Sequence, residues 1–373
     1  MKKIIIIILS IMAVFCFVRL KSSPKLNIVD VNDKSGFTDE YSQEELCLNF
    51  IKESMSSQSG GIYTNYLENP KVEEMASGHE ILSESEGLIM LYYARIRDKE
   101  EFDKHFNIVK DKMLDKTGLV RWRIKEDDHT LSISSASIDD LRILRALIHA
   151  YEVWNDKDYY NMMKKINKGM LKYNIYEGNL NNYYDMEYKY KSQQIDAAYI
   201  DLHTIKLLSN INSKWLEVYD NGLNVIEDGY LYDEFPLYKK VYGIDEAKYV
   251  DSEVINSIDA FLVILHLSEV GVVKEETIQW IRKQINYGQG IFAQYYVGTG
   301  EPVEKVECTA TYAIAARIAK NIGDKSLYTA IINRMLALQV QDETNPIYGS
   351  FGDIVTLKVY SFDNLQALLA FKP

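Results

Sequence analysis

Cysteine is scarce in this chain, with three in 373 residues, one of them (Cys16) inside an apolar leader. The remaining two, Cys47 and Cys308, lie far apart, which excludes a disulfide framework. Two isolated buried thiols are the expectation, and a single bridge between them is the alternative. Histidine is equally thin. The six are scattered, and no His/Cys group has metal-ligand spacing, so neither a metal nor a cofactor is expected. Basic charge falls short of acidic, 42 Lys+Arg against 54 Asp+Glu, for a net charge of −12. That balance excludes a nucleic-acid binder, which needs cations to neutralise phosphates, and it disfavours strongly anionic polymers as substrates. No low-complexity tract and no Pro/Gly-rich linker divides the body, which predicts one domain.

Long apolar runs are also missing, apart from Ile4–Val18. This run of about fifteen residues follows Lys2 and Lys3 and precedes Arg19 and Lys21. It fits a secretory leader better than a membrane span of about twenty residues. No small-x-small cleavage site follows, and Phe15 before Cys16 does not suit lipid modification of that cysteine. Residues 1–21 are therefore read as a signal peptide or an uncleaved anchor, 22–40 as a polar linker, and 41–373 as an outward-facing domain. Contact with a membrane is expected only through the N-terminal segment, and the domain is read as a monomer.

What the chain has is helical periodicity. Segments 42–57, 83–97, 99–114, 137–155, 157–174, 193–208, 212–226, 252–269, 273–285, 307–321, 325–340 and 359–371 read as helices. Some, such as 137–155, 252–269 and 307–321, are apolar around most of their circumference, as a helix buried on all sides must be. Others, such as 99–114 and 157–174, carry a one-sided stripe. The alternation predicts an all-α toroid, six inner helices wrapped by six outer ones, an (α/α)6 barrel. The long connections 58–80, 115–136, 175–192, 227–250, 286–306 and 341–358 would gather at one end and build a cleft, with short hairpins in places such as Tyr176–Tyr188. Twenty-eight tyrosines and four tryptophans suit a surface that meets sugars, although any one of them is also ordinary packing.

Several acids stand out. In Glu80–Asp103, Ser83 and Glu86 form the S-x-x-E spacing of a capping box, which leaves Glu84 unexplained at a helix start. There the helix favours an ionised carboxylate, while burial in a cleft would favour a protonated one. Asp139 and Asp140 open the next apolar helix, where capping alone explains one of them. Trp122, in GLVRWR, is a stacking platform or a packing residue. Asp259 interrupts the apolar stretch Val254–Leu267, where an unpartnered carboxylate is costly to bury. It is a functional candidate or a hydrogen-bonded structural Asp. Glu307, in VECTATYAIAARIA, opens another buried helix; capping is its simplest role, and a different catalytic acid is the alternative.

Together these segments resemble glycoside hydrolase family 8. Ala136, Ser137, Asp140, Ile143, Ala146, Leu147, Ile148, Ala150 and Trp154 fall in register on that family's signature. Ser83-Glu84, Gly87, Met90, Phe102 and Asp103 resemble the segment around its general acid. Gly118–Arg123 resembles its Gly-Leu…Ala-Trp-Arg strand, Ser257–Ala260 the segment around its general base, and Tyr360–Leu365 its closing helix. Tyr199, in DAAYIDL, resembles the family's Ser-Tyr segment. The likeness runs from about residue 60 to the end. Departures from the pattern include Ile138 in place of a sugar-binding Asp, Ile258 in place of a Tyr, and Leu262 in place of an Arg. These changes resemble divergent, exopolysaccharide-associated members from Gram-positive bacteria.

The resemblance implies an (α/α)6 barrel and an inverting endo-glycosidase acting on a β-linked polysaccharide, an exopolysaccharide or a β-1,4-glucan-like polymer. Glu84 would be its general acid and Asp259 its general base. Asp140, or Asp139 in its place, would hold the sugar at the cleavage point, with Trp122 and Tyr199 as stacking platforms. Ile138 and Leu262 motivate an alternative, a non-catalytic polysaccharide-binding protein on the same fold.

Overall fold

The computed structural model describes residues 41–68, 76–125 and 130–372. The apolar run Ile4–Val18 and the linker lie outside the described residues. Within these, no helix is long and apolar enough to cross a membrane.

Among the described residues there are twelve α-helices. They are α1 (Ser42–Ser54), α2 (Ser83–Ile96), α3 (Lys99–Ile108), α4 (Ser137–Trp154), α5 (Lys157–Tyr173) and α6 (Leu202–Ser209). There follow α7 (Lys214–Asp228), α8 (Ser257–Val270), α9 (Glu275–Asn286), α10 (Thr309–Asn321), α11 (Lys325–Leu336) and α12 (Ser361–Phe371). The even-numbered helices form the inner ring. Each packs on the next, and α12 closes back on α2. Their sequences explain the placement: along α10 every residue from Thr309 to Lys320 is buried, and along α2 every residue from Ser85 to Ala94. An outer helix such as α5 buries only a stripe, Tyr159, Met162, Met163, Ile166 and Met170, at the spacing of one helical face. The first helix packs on the last, so α1 completes the outer layer against α12. This is the (α/α)6 barrel.

Local chemistry sets its polarity. Inner helices α2, α4 and α8 end on left-handed residues, Arg97 (φ 61°), Asn155 (φ 51°) and Gly271 (φ 79°). Asp98, Asp156 and Asp324 then cap the first turns of α3, α5 and α11 through the backbone N–H groups of Glu101, Asp158 and Leu327. These short turns leave the long connections at the other end, where the inner helices begin. Acids in the first turns of α2, α4, α8 and α12 (Glu84, Asp139, Asp259 and Asp363) therefore face one end of the barrel.

That end is decorated with short strands: β1 (Glu80–Leu82), β2 (Arg123–Lys125), β3 (Gln194–Asp196), β4 (Val241–Gly243), β5 (Lys248–Tyr249), β6 (Val254–Asn256) and β7 (Gln294–Tyr296). β1 pairs with β2, β6 with β7, and β4 lies between β3 and β5, all antiparallel. Hairpins also form at Ile175–Leu180 and Tyr184–Lys191.

Three expectations are corrected. The segment 193–208 is strand β3 followed by a 3-10 turn, with α6 beginning only at Leu202, where Asp201 accepts from Thr204 N. The segment 252–269 likewise opens as β6. Asn256 caps α8 through Ile258 N, so Asp259 stands in the first helical turn and not in mid-helix. Ser83 and Glu86 form no capping box. Ser83 Oγ donates to Asp139 Oδ2 (2.8 Å), while Glu86 accepts from Ile62 N (2.9 Å) and pairs with His105 (2.8 Å).

Candidate active site

Glu84 occupies the first turn of α2 and keeps 29% of its side-chain surface open. Its Oε2 accepts from Arg142 Nη1 at 2.9 Å, and the same nitrogen donates to Asp139 Oδ1 at 2.9 Å. Arg142 reaches both because α2 and α4 approach closely at Gly87, where a Cβ would stand 3.0 Å from Arg142 Cβ. Burial pushes the Glu84 carboxyl up to about 6. Arg142 opposes the shift, and the negative charges of Asp139 and Asp363 add to it. Burial also raises Asp139, against Arg142 and the Ser83 hydroxyl. The carboxyl at position 84 is thus set to carry a proton in mildly acidic solution, next to a fixed guanidinium.

Glu84 opens into a cavity of about 360 Å3 whose lining includes Trp122, Asp139, Asn182, Tyr183 and Tyr199. That volume lies within the range of small-molecule sites. Trp122 is held by the Arg123 guanidinium 4.4 Å from its ring centre, and by its carbonyl, which accepts from Ser83 N at 3.0 Å. The segment leading to it approaches α5 so closely that Gly118 (φ 90°) has no room for a Cβ, which would meet Lys165 O at 2.6 Å. An open depression of about 690 Å3 over Tyr242, Lys248 and Tyr249 is larger, but it shares no lining residue with the Glu84 cavity.

Two neighbouring aspartates part company. Asp139 faces the cavity. Asp140 is fully buried, and its Oδ1 accepts from Val120 N at 2.9 Å. Asp140 therefore cannot touch a sugar. It anchors the segment that presents Trp122, and Asp139 takes the cleft-facing place. Ile138, where the family pattern has Asp, is 2% exposed and lines an internal cavity of about 30 Å3 with Leu262 and Arg145.

Asp259 is not among the residues lining the Glu84 cavity. It stands beyond Asn182, whose Nδ2 donates to Asp196 Oδ1 (3.3 Å). Asp196 and Asp259 both flank Lys240 Nζ, at 3.7 and 3.0 Å. Glu307 is absent from the cavity lining. It accepts from Tyr312 OH (2.6 Å) and from Arg334 Nε (2.8 Å), a structural arrangement. Of the other acids near Glu84 in sequence, Glu80 pairs with Arg123 and Asp103 with Lys99. Cys47 and Cys308 are free thiols, the first buried and the second half-buried.

Arg142 and Asp363 escaped the sequence reading. Arg142 follows Asp139 by three residues, the spacing of a same-face ion pair, and that was the available signal. Asp363 is raised by burial and accepts from Ala310 N at 2.9 Å; it reaches Glu84 only through the fold. Asp201, His266 and Glu269 cluster deep in the barrel at metal-like spacing. Arg145 fills that space, donating to Asp201 at 2.6 Å and to both Glu269 oxygens at 2.6 and 2.8 Å.

A sequence model described as glycosyl hydrolases family 8 matches residues 50–182. A solved structure described as a novel alpha-amylase from Clostridium perfringens is 39% identical. The alignment covers 88% of this chain and 96% of that one, with a TM-score of 0.83. The endoglucanase Cel10 of Klebsiella pneumoniae, described as a family 8 glycosyl hydrolase, shares the fold at 17% identity. It covers 87% and 98% of the two chains, with a TM-score of 0.62. YdaJ of Bacillus subtilis, whose name provisionally classes it as a lipoprotein, is 26% identical over 322 residues, 86% of this chain and 84% of that protein.

Proposed function

The chain belongs to glycosyl hydrolases family 8, and from that premise we propose an extracytoplasmic, inverting endo-glycosidase that hydrolyses a β-linked polysaccharide such as an exopolysaccharide. The observation that carries this reading is Glu84: a carboxyl raised to about 6, opening into a cavity walled by Trp122 and Tyr199. In the proposed reaction Glu84 gives its proton to the glycosidic oxygen as the bond breaks. Asp259 takes a proton from the water that attacks the opposite face of the sugar. Inversion needs the two carboxyl groups roughly 6.5–9.5 Å apart with that water between them. Asp139 accepts hydrogen bonds from the sugar at the cleavage point, and Trp122 and Tyr199 stack on its neighbours. The apolar segment Ile4–Val18 keeps the domain outside the cytoplasm, a placement also supported by the name given to the Bacillus relative.

One observation favours a second reading of the linkage. The relative at 39% identity is described as an alpha-amylase, which makes an α-linked glucan the competing substrate. The same acid and base serve either linkage, because inversion requires only that water and leaving group occupy opposite faces of the ring.

The test is reducing-end release from β-linked polysaccharides, soluble starch and the producing organism's own matrix. Glu84→Gln and Asp259→Asn are each expected to lower release by about 100-fold or more, with folding unchanged by circular dichroism. Activity on starch alone would select the α-linked reading. A Glu84→Gln protein with full activity contradicts the mechanism. Polysaccharide binding by the wild type without any release would favour the non-catalytic alternative.

A further inference from the structure

The geometry points to Lys240 and Asp196 as positioning residues that hold Asp259 for water activation, an inference that rests on Asp259 being the base. Helix α8 itself offers Asp259 no cation. Ile258 precedes it, and Leu262, one turn on, is buried toward the interior. The cation comes from another part of the chain. Lys240 lies in the turn before β4, and its Nζ is 3.0 Å from Asp259 Oδ2. Its backbone is fixed on both sides. Ala197 N donates to Lys240 O, and Lys239 N to Gly229 O, each at 2.8 Å. The β3–β4 pairing of Asp196 with Val241 brings the second carboxylate to the same ammonium, at 3.7 Å. Asp196 is in turn fixed by Asn182, which accepts from Asp196 N (2.7 Å), donates to its carboxylate (3.3 Å) and lines the cavity that holds Glu84.

The result is a relay of fixed polar groups from the acid's cavity to the base. An ammonium at 3.0 Å stabilises a carboxylate and ties down one of its oxygens, leaving the other free to accept a proton from water. Asp196 shares the ammonium, so Asp259 is not neutralised by a full one-to-one pair. The charged groups facing Asp259 are thus Lys240 directly and Asp196 across it, while Ile258 and Leu262 on its own helix are apolar. Half of the Lys240 side chain is exposed, so its replacement leaves the core untouched.

The test uses the full chain and whichever polysaccharide the wild type cleaves fastest. Lys240→Met should lower kcat by about tenfold or more with little change in KM, and move the acid limb of the kcat profile to higher pH. Lys240→Arg should restore most of the rate. Asp196→Asn should move the limb to lower pH, because the ammonium then acts on Asp259 alone. These opposite displacements are not what a merely structural pair would give. Wild-type kcat and an unmoved profile in Lys240→Met, with Asp259→Asn inactive, overturn the inference while leaving the base assignment intact. An active Asp259→Asn overturns the base assignment and the inference with it.

Discussion

At the scale of single residues, the site is an argument between charges around Glu84. Burial raises its carboxyl, Arg142 holds it down, and Asp139 lifts it again. A general acid works only while protonated, so the wild-type rate should fall above about pH 6, as Glu84 ionises. Removing either neighbour should shift that alkaline limb, with opposite signs. Asp139→Asn deletes a raising charge and should bring the limb to lower pH. Arg142→Met deletes a lowering charge and should carry it higher, with a loss of rate because the carboxylate is no longer tethered. Profiles of kcat/KM for the three proteins check this; limbs that coincide would show that another group gives the proton. Two residue-level readings did not survive the fold. Asp140 matches the family signature but serves the backbone of Val120, and Ser83 bonds Asp139 where a helix cap was expected. Both side chains bond partners in other segments, 20 and 56 residues away, contacts that spacing within one segment does not reveal.

At the scale of elements, the helices were legible because their burial is written in the period of apolar positions. α4 and α10 read as all-round apolar and are buried so; α5 reads as a stripe and buries that stripe. The strands were not legible. They are two to four residues long and exist only through partners remote in sequence, such as β3 with β4. The apolar stretch from Val254 hid β6 for the same reason, and Asn256 was the cap that could have revealed where α8 begins. The inner helices are also fastened by a buried ionic group that the sequence reading did not assemble. Arg145 of α4 joins Asp201 before α6 and Glu269 of α8, with Arg317 of α10 3.7 Å from Glu269. Removing one partner of such a pair leaves a buried uncompensated charge, typically worth about 3–5 kcal/mol. Glu269→Gln should lower the unfolding free energy by about that amount in urea titrations, and the double variant Arg145→Leu/Glu269→Leu should cost less than the sum of Arg145→Leu and Glu269→Leu alone.

At the scale of the whole molecule, the ring of helices explains how acids more than two hundred residues apart in sequence face one end. Every inner helix starts there, and each helix start tolerates a carboxylate. Glu84, Asp139, Trp122 and Tyr199, assembled on paper from four separate segments, meet around one cavity. Asp259 lies past its edge, reached through Asn182, Asp196 and Lys240. On the proposed mechanism, a polysaccharide chain lying across that end has Glu84 on one side of the scissile sugar and Asp259 on the other. The measurement that tests this most directly is the anomeric configuration of the first products, followed by proton NMR during hydrolysis of the preferred polysaccharide. The account predicts products of inverted configuration from the wild type, and none from Asp259→Asn. Products that keep the configuration of the substrate would contradict it, because they require a carboxylate that attacks the sugar and not one that activates water.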